Sequence, residues 1–330
     1  MNKLDSVSRL SENVVRILGQ NPGKFTLQGT NTYLVGKTRP FTLIDTGEGR
    51  AEYPPLLEAT LRNAAAGKGS DSSTPDVADI VISHWHHDHV GGLPDVLALL
   101  RRLWDERNAN APFKPPRLHK FPLPATAPVH AHPQNKIPSI IAALDPQLYT
   151  PSPAGSAFHD LIDDDVVAGI RVLHTPGHTP DSICLYLPSD DSLYTADTIL
   201  GKGTAVFEDL PAYMYTLRKM LAFVNETNPD GARMRLYPGH GPVVEDAAEL
   251  IDAYITHRLE RDKQLLELLA GKKPMPMSTW EMVTTLYASY PESLWLPAAH
   301  GIELHLRKME GEGVVRKVRG EGKDAEWEIV

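Results

Sequence analysis

The chain has a single cysteine, Cys184, among 330 residues. No internal disulfide can form, and a reducing compartment is expected. No run approaches the roughly 18 consecutive apolar residues that a membrane span needs. The opening Met1-Asn2-Lys3-Leu4-Asp5 has no charged-then-apolar leader pattern. The final Trp327-Glu328-Ile329-Val330 matches no lipidation or retention motif. A cytoplasmic protein without a membrane partner is therefore the expectation. Positive charge is also in deficit, with 33 Lys and Arg against 42 Asp and Glu for a net -9. That argues against a protein dedicated to wrapping nucleic acid, although a local basic patch is still allowed. Aromatic residues are 7% of the chain, and no set of them is spaced as a platform for stacking single-stranded bases. A Gly-x-Ser-x-Gly elbow is missing too. Cys184 lies in the apolar run Ile183 to Leu187, where a buried structural thiol is expected rather than a nucleophile.

What the chain does have is histidine in one place. Residues 84 to 89 read His-Trp-His-His-Asp-His, in which His84, His86, Asp88 and His89 put four metal-binding side chains within about one turn. Packing does not explain such density, because imidazole and carboxylate are costly to bury without partners. Before it, Asp79-Ile80-Val81-Ile82-Ser83 reads as a short buried strand, so the cluster hangs from a loop at a strand's end. A solvated His-rich turn is the plain alternative.

Three later segments repeat the arrangement. Ile170 to Leu173 leads into His174-Thr175-Pro176-Gly177-His178, Leu193-Tyr194-Thr195-Ala196 into Asp197, and Leu236-Tyr237-Pro238-Gly239 into His240. Near the N-terminus, Leu43-Ile44 leads into Asp45-Thr46-Gly47. Each is an apolar strand, a small or turn-forming residue, and one ligand-type side chain. Imidazole with carboxylate suits zinc, with iron or manganese as alternatives.

Taken in order, Asp45, the 84 to 89 cluster, His178, Asp197 and His240 resemble the five motifs of the metallo-β-lactamase fold hydrolases, and the resemblance covers roughly residues 10 to 270. It implies an α/β fold, an αββα sandwich with a two-metal site on one edge. It also implies that His84, His86 and His178 bind one ion, that Asp88, His89 and His240 bind a second, and that Asp197 bridges them. Two Zn2+ are expected, with Mn2+ or Fe possible. Asp88 and Asp45 are the expected catalytic carboxylates, Asp45 orienting ligands rather than binding. Ser83 stands where many family members have Thr, and His87 fills a position that varies. The segment Gln28 to Gly36 resembles a stretch shared by one branch, which includes lactamase-beta-like 2 proteins and fungal polyketide (atrochrysone carboxyl type) ACP thioesterases. Asn31 and Thr32 read there as a strand start or as site floor.

Val14 to Leu18 and Thr32 to Val35 read as opening strands around the turn Asn21-Pro22-Gly23. Glu52 to Arg62 and Leu93 to Leu103 read as helices, and Gly67 to Ser73 as a surface loop. From Asn108 to Pro138 prolines are dense and periodicity is weak, so a partly ordered insertion is expected beside the site. Its His119, His130 and His132 read as solvated loop histidines rather than a third metal site. Lys202 to Leu210 resembles a family segment that closes one wall of the pocket, and Tyr213 and Tyr215 suit aromatic surface or core equally. The short interval from Asp197 to His240 excludes a large inserted cap domain.

Ala247 to Ala270 reads as an amphipathic helix with Leu250, Ile251, Tyr254, Ile255, Leu259, Leu265, Leu266 and Leu269 inward, and His257 and Arg258 at the surface. Gly271 to Pro276 reads as a linker, which divides the chain into a metallo-β-lactamase domain, 1–272, and a C-terminal unit, 278–330. Thr279 to Tyr290 and Ala298 to Glu310 read as helices, and Val314 to Val318 with Glu326 to Val330 as a hairpin. That is the outline of a winged helix.

Two activities fit one such site. One is release of an acyl (polyketide) chain from an acyl carrier protein or polyketide synthase, by metal-hydroxide attack on the thioester. The other is single-strand-specific cleavage of RNA, as the lactamase-beta-like 2 branch implies. A glyoxalase II-like or lactone hydrolase follows. A non-catalytic binding protein is a separate class, disfavoured because no ligand position is lost. Arg307, Lys308, Arg316, Lys317 and Arg319 suit RNA phosphates, an acidic carrier-protein helix, or plain solvation.

Overall fold

The computed structural model describes residues 3–65, 71–127, 132–229 and 233–330. Packing divides the chain into two compact units, Met1–Ala205 with Arg233–Asp246 and Val206–Ala232 with Ala247–Val330.

The first unit is built on two sheets. The larger has seven strands in chain order: β1 (Val7–Arg9), β2 (Val14–Leu18), β3 (Asn31–Val35), β4 (Phe41–Ile44), β5 (Val77–Ile82), β6 (Arg117–Lys120) and β7 (Phe158–Asp160). The strands pair antiparallel as far as β4 and parallel from β4 onward. The smaller sheet has β8 (Val166–Val167), β9 (Ile170–His174), β10 (Ile183–Leu187), β11 (Ser192–Ala196) and β12 (Arg235–Pro238), with only β11 and β12 parallel. Three helices belong with the larger sheet: α1 (Tyr53–Ala65), the single turn α2 (His87–Val90) and α3 (Leu93–Arg107).

Period-two alternation sorts the larger sheet's side chains. Leu34, Leu43, Ile80 and Ile82 share a core with Leu57 and Leu61 of α1 and Val96, Leu97 and Leu100 of α3. Their neighbours Tyr33, Ile44 and Val81 face the other way, into a second core with Val172, Leu185, Tyr194 and Tyr237 of the smaller sheet. A strand buried on both faces has no need of polar residues, which is why these segments are nearly continuous apolar runs.

The Pro-rich stretch holds one element of the larger sheet that its sequence does not announce. Arg117–Lys120 is β6, hydrogen-bonded between β5 and β7, and Ile137–Ala143 forms a short helix, α4. His119 is buried rather than solvated, and its Nε2 lies 2.7 Å from Asp79 Oδ1. Leu118 alone among charged neighbours carries no alternation for pattern analysis to detect. His132 is exposed, with its ring 5.4 Å from Trp85, and His130 lies outside the described residues.

The second unit contains α5 (Leu210–Thr227), α6 (Ala247–Lys272), α7 (Thr279–Leu286) and α8 (Trp295–Gly311). A three-stranded sheet completes it, β13 (Met277–Ser278), β14 (Val315–Arg319) and β15 (Glu326–Ile329) in the order β13-β15-β14. Ser278 caps α7 in a reciprocal capping box with Glu281. Leu265 and Leu269 of α6 lie in one core with Met282, Val283, Ile302, Leu306 and Trp327. The end of α6 therefore packs with the winged-helix elements. Arg258 is buried, its guanidinium 4.7 Å from the Phe207 ring centroid and 5.8 Å from that of Tyr213. The expectation of a surface arginine fails because cation-over-ring stacking lets the head group enter the core. Leu259 is exposed, Tyr213 buried and Tyr215 exposed.

The fold also groups aromatic residues that looked scattered. Trp280 and Trp295 meet edge-on at 5.9 Å, and Tyr287 and Tyr290 lie 5.4 Å apart. No helix among the described residues is long and apolar enough to cross a membrane.

Candidate metal centre

Every predicted ligand sits just beyond the end of a strand. After β5 the chain delivers Ser83, His84, Trp85 and His86, and the turn α2 follows with Asp88 and His89. The β9–β10 loop carries His178. Asp197 follows β11, where Ala196 takes φ 45°, and His240 follows β12. Strand ends from two sheets thus meet along one edge.

The seven side chains converge in two groups. In one, His84, His86, His178 and Asp197 each offer a ligand atom, all within 4.8 Å of one another, and the same holds for Asp88, His89 and His240. His84 Nε2 and His86 Nδ1 are 2.9 Å apart, and His178 Nε2 is 3.3 and 3.0 Å from them. Four atoms placed tetrahedrally about 2.0–2.1 Å from one ion would be about 3.3 Å from each other. Asp197 reaches both groups. Its Oδ1 is 3.3 Å from His89 Nε2, and its Oδ2 is 3.2 Å from His240 Nε2 and 3.8 Å from His178 Nε2. Asp88 Oδ2 is 3.3 Å from His240 Nε2 and 3.4 Å from His89 Nε2.

Hydrogen bonds behind these groups set which ring nitrogen faces inward. Asp45, wholly buried at φ 59°, accepts from Ser83 N and Ser83 Oγ at 2.8 Å each, from His89 Nδ1 at 2.6 Å and from the Tyr194 hydroxyl. Ser83 Oγ in turn receives His84 Nδ1 at 3.0 Å. With Nδ1 donating, both rings present an Nε2 lone pair to the cluster, as a metal ligand requires. Asp45 is not one of the converging seven, which matches an orienting carboxylate.

Charge divides the cluster. Burial, reinforced by neighbouring imidazoles, holds His84 well below the usual range and pushes His86 down to about 3. Burial would also depress His240, but Asp197 outweighs it and lifts that ring to about 9. Asp88 and Asp197 are held below the usual carboxylate range, since the adjacent His89 and His240 overcome the penalty of burial. Neutral imidazole lone pairs aimed at one point repel one another unless a cation lies between them. His89 Nε2 and Asp197 Oδ1 are buried without a hydrogen bond of acceptable geometry, an arrangement that costs about 1–3 kcal/mol per group. Both observations fit a binuclear metal site.

Further residues support these groups, and Thr30 and Asn21 among them were not singled out from the sequence. Thr30, fully buried, donates from Oγ1 to Asp88 Oδ2 at 2.9 Å and receives Asn21 Nδ2 at 3.0 Å. Asn31 is a strand start whose side chain also serves the site, donating to Pro238 O and Gly241 O at 2.9 Å each, on either side of His240. Gly239 permits a close approach, because a Cβ there would stand 2.4 Å from Asp197 Oδ1. At Gly201 a Cβ would fall 2.0 Å from Pro242 O, and the Gly201 amide donates to His240 O at 2.9 Å. The start of the expected wall segment thus lies against the loop that follows His240. Motif spacing gives no signal for Asn21, Thr30 or Tyr194, whose partners are distant in sequence.

Residues 25–252 match the profile of the Metallo-beta-lactamase superfamily, and residues 278–327 match that of the Beta-lactamase associated winged helix domain. The chain is 34% identical over 316 residues to a Beta-lactamase-like protein 2 homolog from Drosophila melanogaster, spanning 96% of this chain and 94% of that one. It is 31% identical over 327 residues to an Atrochrysone carboxyl ACP thioesterase from Aspergillus terreus, spanning 96% and 82%. Among solved structures, a metallo-beta-lactamase family protein from Thermus thermophilus superposes with a TM-score of 0.65 at 21% identity, covering 98% of this chain and all of that one.

Proposed function

The chain belongs to the metallo-beta-lactamase superfamily and is a hydrolase of that family, and we propose that it is a binuclear zinc thioesterase releasing an acyl chain from an acyl carrier protein. The observation that carries this reading is the convergence of seven ligand-type side chains with none missing. His84, His86 and His178 would hold one ion, Asp88, His89 and His240 the other, and Asp197 would span the two. When bound, such ions supply a water of lowered pKa and a Lewis acid for the carbonyl oxygen.

The chain's own groups do the rest. Thr30 holds Asp88 Oδ2, and the carboxylate stays anionic at neutral pH, an acceptor at the edge of the cluster for the attacking water's proton. Asp45 keeps the His84 and His89 rings turned. A thiolate leaving group has a pKa of about 8.5, so no strong general acid is needed.

The winged unit's cations are paired with carboxylates and favour neither substrate. Arg307 pairs with Glu303 (2.6 Å), Lys308 with Asp262 (2.9 Å), Arg316 with Glu328 (2.5 Å), Lys317 with Glu321 (2.9 Å) and Arg319 with Glu326 (2.8 Å). Cations already matched by carboxylates form a poor footprint for RNA phosphates and for an acidic carrier-protein helix alike, and the thioester reading is supported instead by the similarity to an acyl carrier protein thioesterase. Single-stranded RNA is the second reading, supported by the half-buried group Trp280, Trp295 and Tyr287, with Arg261 4.9 Å from the Tyr287 ring centroid.

The deciding experiment assays zinc-loaded and chelator-treated protein on an acyl carrier protein thioester and on a short single-stranded RNA. Chelator-sensitive thioester cleavage with intact RNA is expected. Cut RNA with intact thioester would overturn the substrate assignment, and chelator-insensitive turnover would overturn the metal chemistry.

A further inference from the structure

We propose that Lys120 and Asp181 are a positioning pair for His178, setting how tightly the three-imidazole pocket holds its ion; the inference rests on the metal-centre reading above. Asp181 is wholly buried, three residues beyond His178. Lys120 is buried too, at the end of β6 in the other sheet, and its Nζ donates to Asp181 Oδ2 and, at 3.0 Å, to Phe121 O. The second carboxylate oxygen, Oδ1, accepts from Thr179 Oγ1 at 2.8 Å, and Thr179 directly follows His178. Beside this pair the Phe121 ring stacks on His174 at 3.9 Å and 4°, while His174 Nε2 donates to Pro180 O at 2.9 Å. Two consecutive residues at one strand end thus grip the His178 loop at positions 174 and 181, and through them at Pro180 and Thr179.

The loop needs such a grip. At its base Thr175 N donates to Ser182 O at 2.9 Å, but the backbone bonds around His178 are longer, Gly177 N to Thr179 O at 3.2 Å and Ser182 N to Thr179 O at 3.4 Å, and Gly177 takes φ 129°. A buried ion pair is a poor source of stability, since apolar replacements of similar volume are often neutral or better. What this pair adds is geometry. It joins the larger sheet to the loop of the smaller sheet that carries a ligand. The other ion's ligands, Asp88, His89 and His240, lie outside that loop, so the effect is confined to one of the two sites.

The test is zinc titration of the full chain against a chromophoric chelator, with melting temperature measured in parallel. The variants are Asp181→Asn, Lys120→Arg, Thr179→Val, and Lys120→Met combined with Asp181→Leu. Asp181→Asn and Thr179→Val should each weaken one of the two zinc sites about 10- to 100-fold, as loss of an outer-shell partner does, and leave the other unchanged. Lys120→Arg, which keeps the charge, should retain most of the affinity. The double replacement leaves no lone buried charge, so its melting temperature should recover while the weak site stays weak. Folded Thr179→Val or double-variant protein that binds two zinc ions as tightly as the unaltered chain would overturn the inference alone. An unaltered chain that binds no zinc would overturn the metal centre and this inference with it.

Discussion

Replacing Asp45 by Asn isolates what one buried carboxylate contributes without removing a ligand. All the hydrogen bonds identified to its oxygens are bonds it accepts: Ser83 N on Oδ1, and Ser83 Oγ, His89 Nδ1 and Tyr194 OH on Oδ2. An amide cannot satisfy this set in either orientation. With the NH2 at the Oδ1 position it opposes the Ser83 amide, which cannot reverse. With the NH2 at the Oδ2 position, the two hydroxyls can turn round, but His89 must move its proton to Nε2. That removes the lone pair facing Asp88, Asp197 and His240. Loss of an outer-shell partner lowers metal affinity about 10- to 100-fold, which is about 1.4–2.8 kcal/mol. A buried donor left unsatisfied adds about 1–3 kcal/mol of lost folding stability. Zinc competition should find one site weakened, and denaturant unfolding of the metal-free protein should find the chain less stable than the unaltered one. An Asp45→Asn chain that holds two zinc ions at unaltered affinity and unfolds at the same denaturant concentration as the unaltered chain would refute the reasoning.

Other outcomes can be checked in parallel. Asp197→Asn should abolish turnover and lower the metal content below two ions per chain, measured by elemental analysis, because Asp197 is the one of the seven converging residues that reaches both groups. Thr30→Val should cost about 1–3 kcal/mol in denaturant unfolding, since Asn21 loses its acceptor and Asp88 its donor. Truncation after Gly271 should yield aggregating protein by light scattering, because Leu265 and Leu269 would lose the core they share with α7 and α8. Burial would raise Asp79, but His119 and Arg117 outweigh it and hold it below 3.8. Its contribution to stability is therefore present above about pH 4 and is lost as pH falls through the lower, folded value. Asp79→Asn should reduce that acid dependence in melting scans.

The seven converging residues were legible because each is a chemically distinctive residue at the end of an apolar run, and the strand pattern survives in a single sequence. Strands such as β2 and β5 were legible for the same reason, since both faces are buried. β6 was not, because only Leu118 in it is apolar and the burial of its His119 and Lys120 depends on Asp79 and Asp181, which lie 40 and 61 residues away in sequence. Arg258 misled for a related reason, since its aromatic partners are brought to it by tertiary structure. The linker-like Gly271 to Pro276 marks a break in helix propensity, but the hydrophobic core runs on across it from α6. Local pattern detects where the chain turns and cannot detect which core a helix has joined.

Four of the seven converging side chains hang from the larger sheet and three from the smaller, so the pocket exists only while the two are docked. Cation binding and folding of that unit are then one coupled equilibrium: an ion held only by the native state stabilises it by about 2.7 kcal/mol at a hundred times its dissociation constant. An excursion that slides one layer off the other would surrender both ions together, whereas movement of the His178 loop alone would loosen one, so joint release would report global opening.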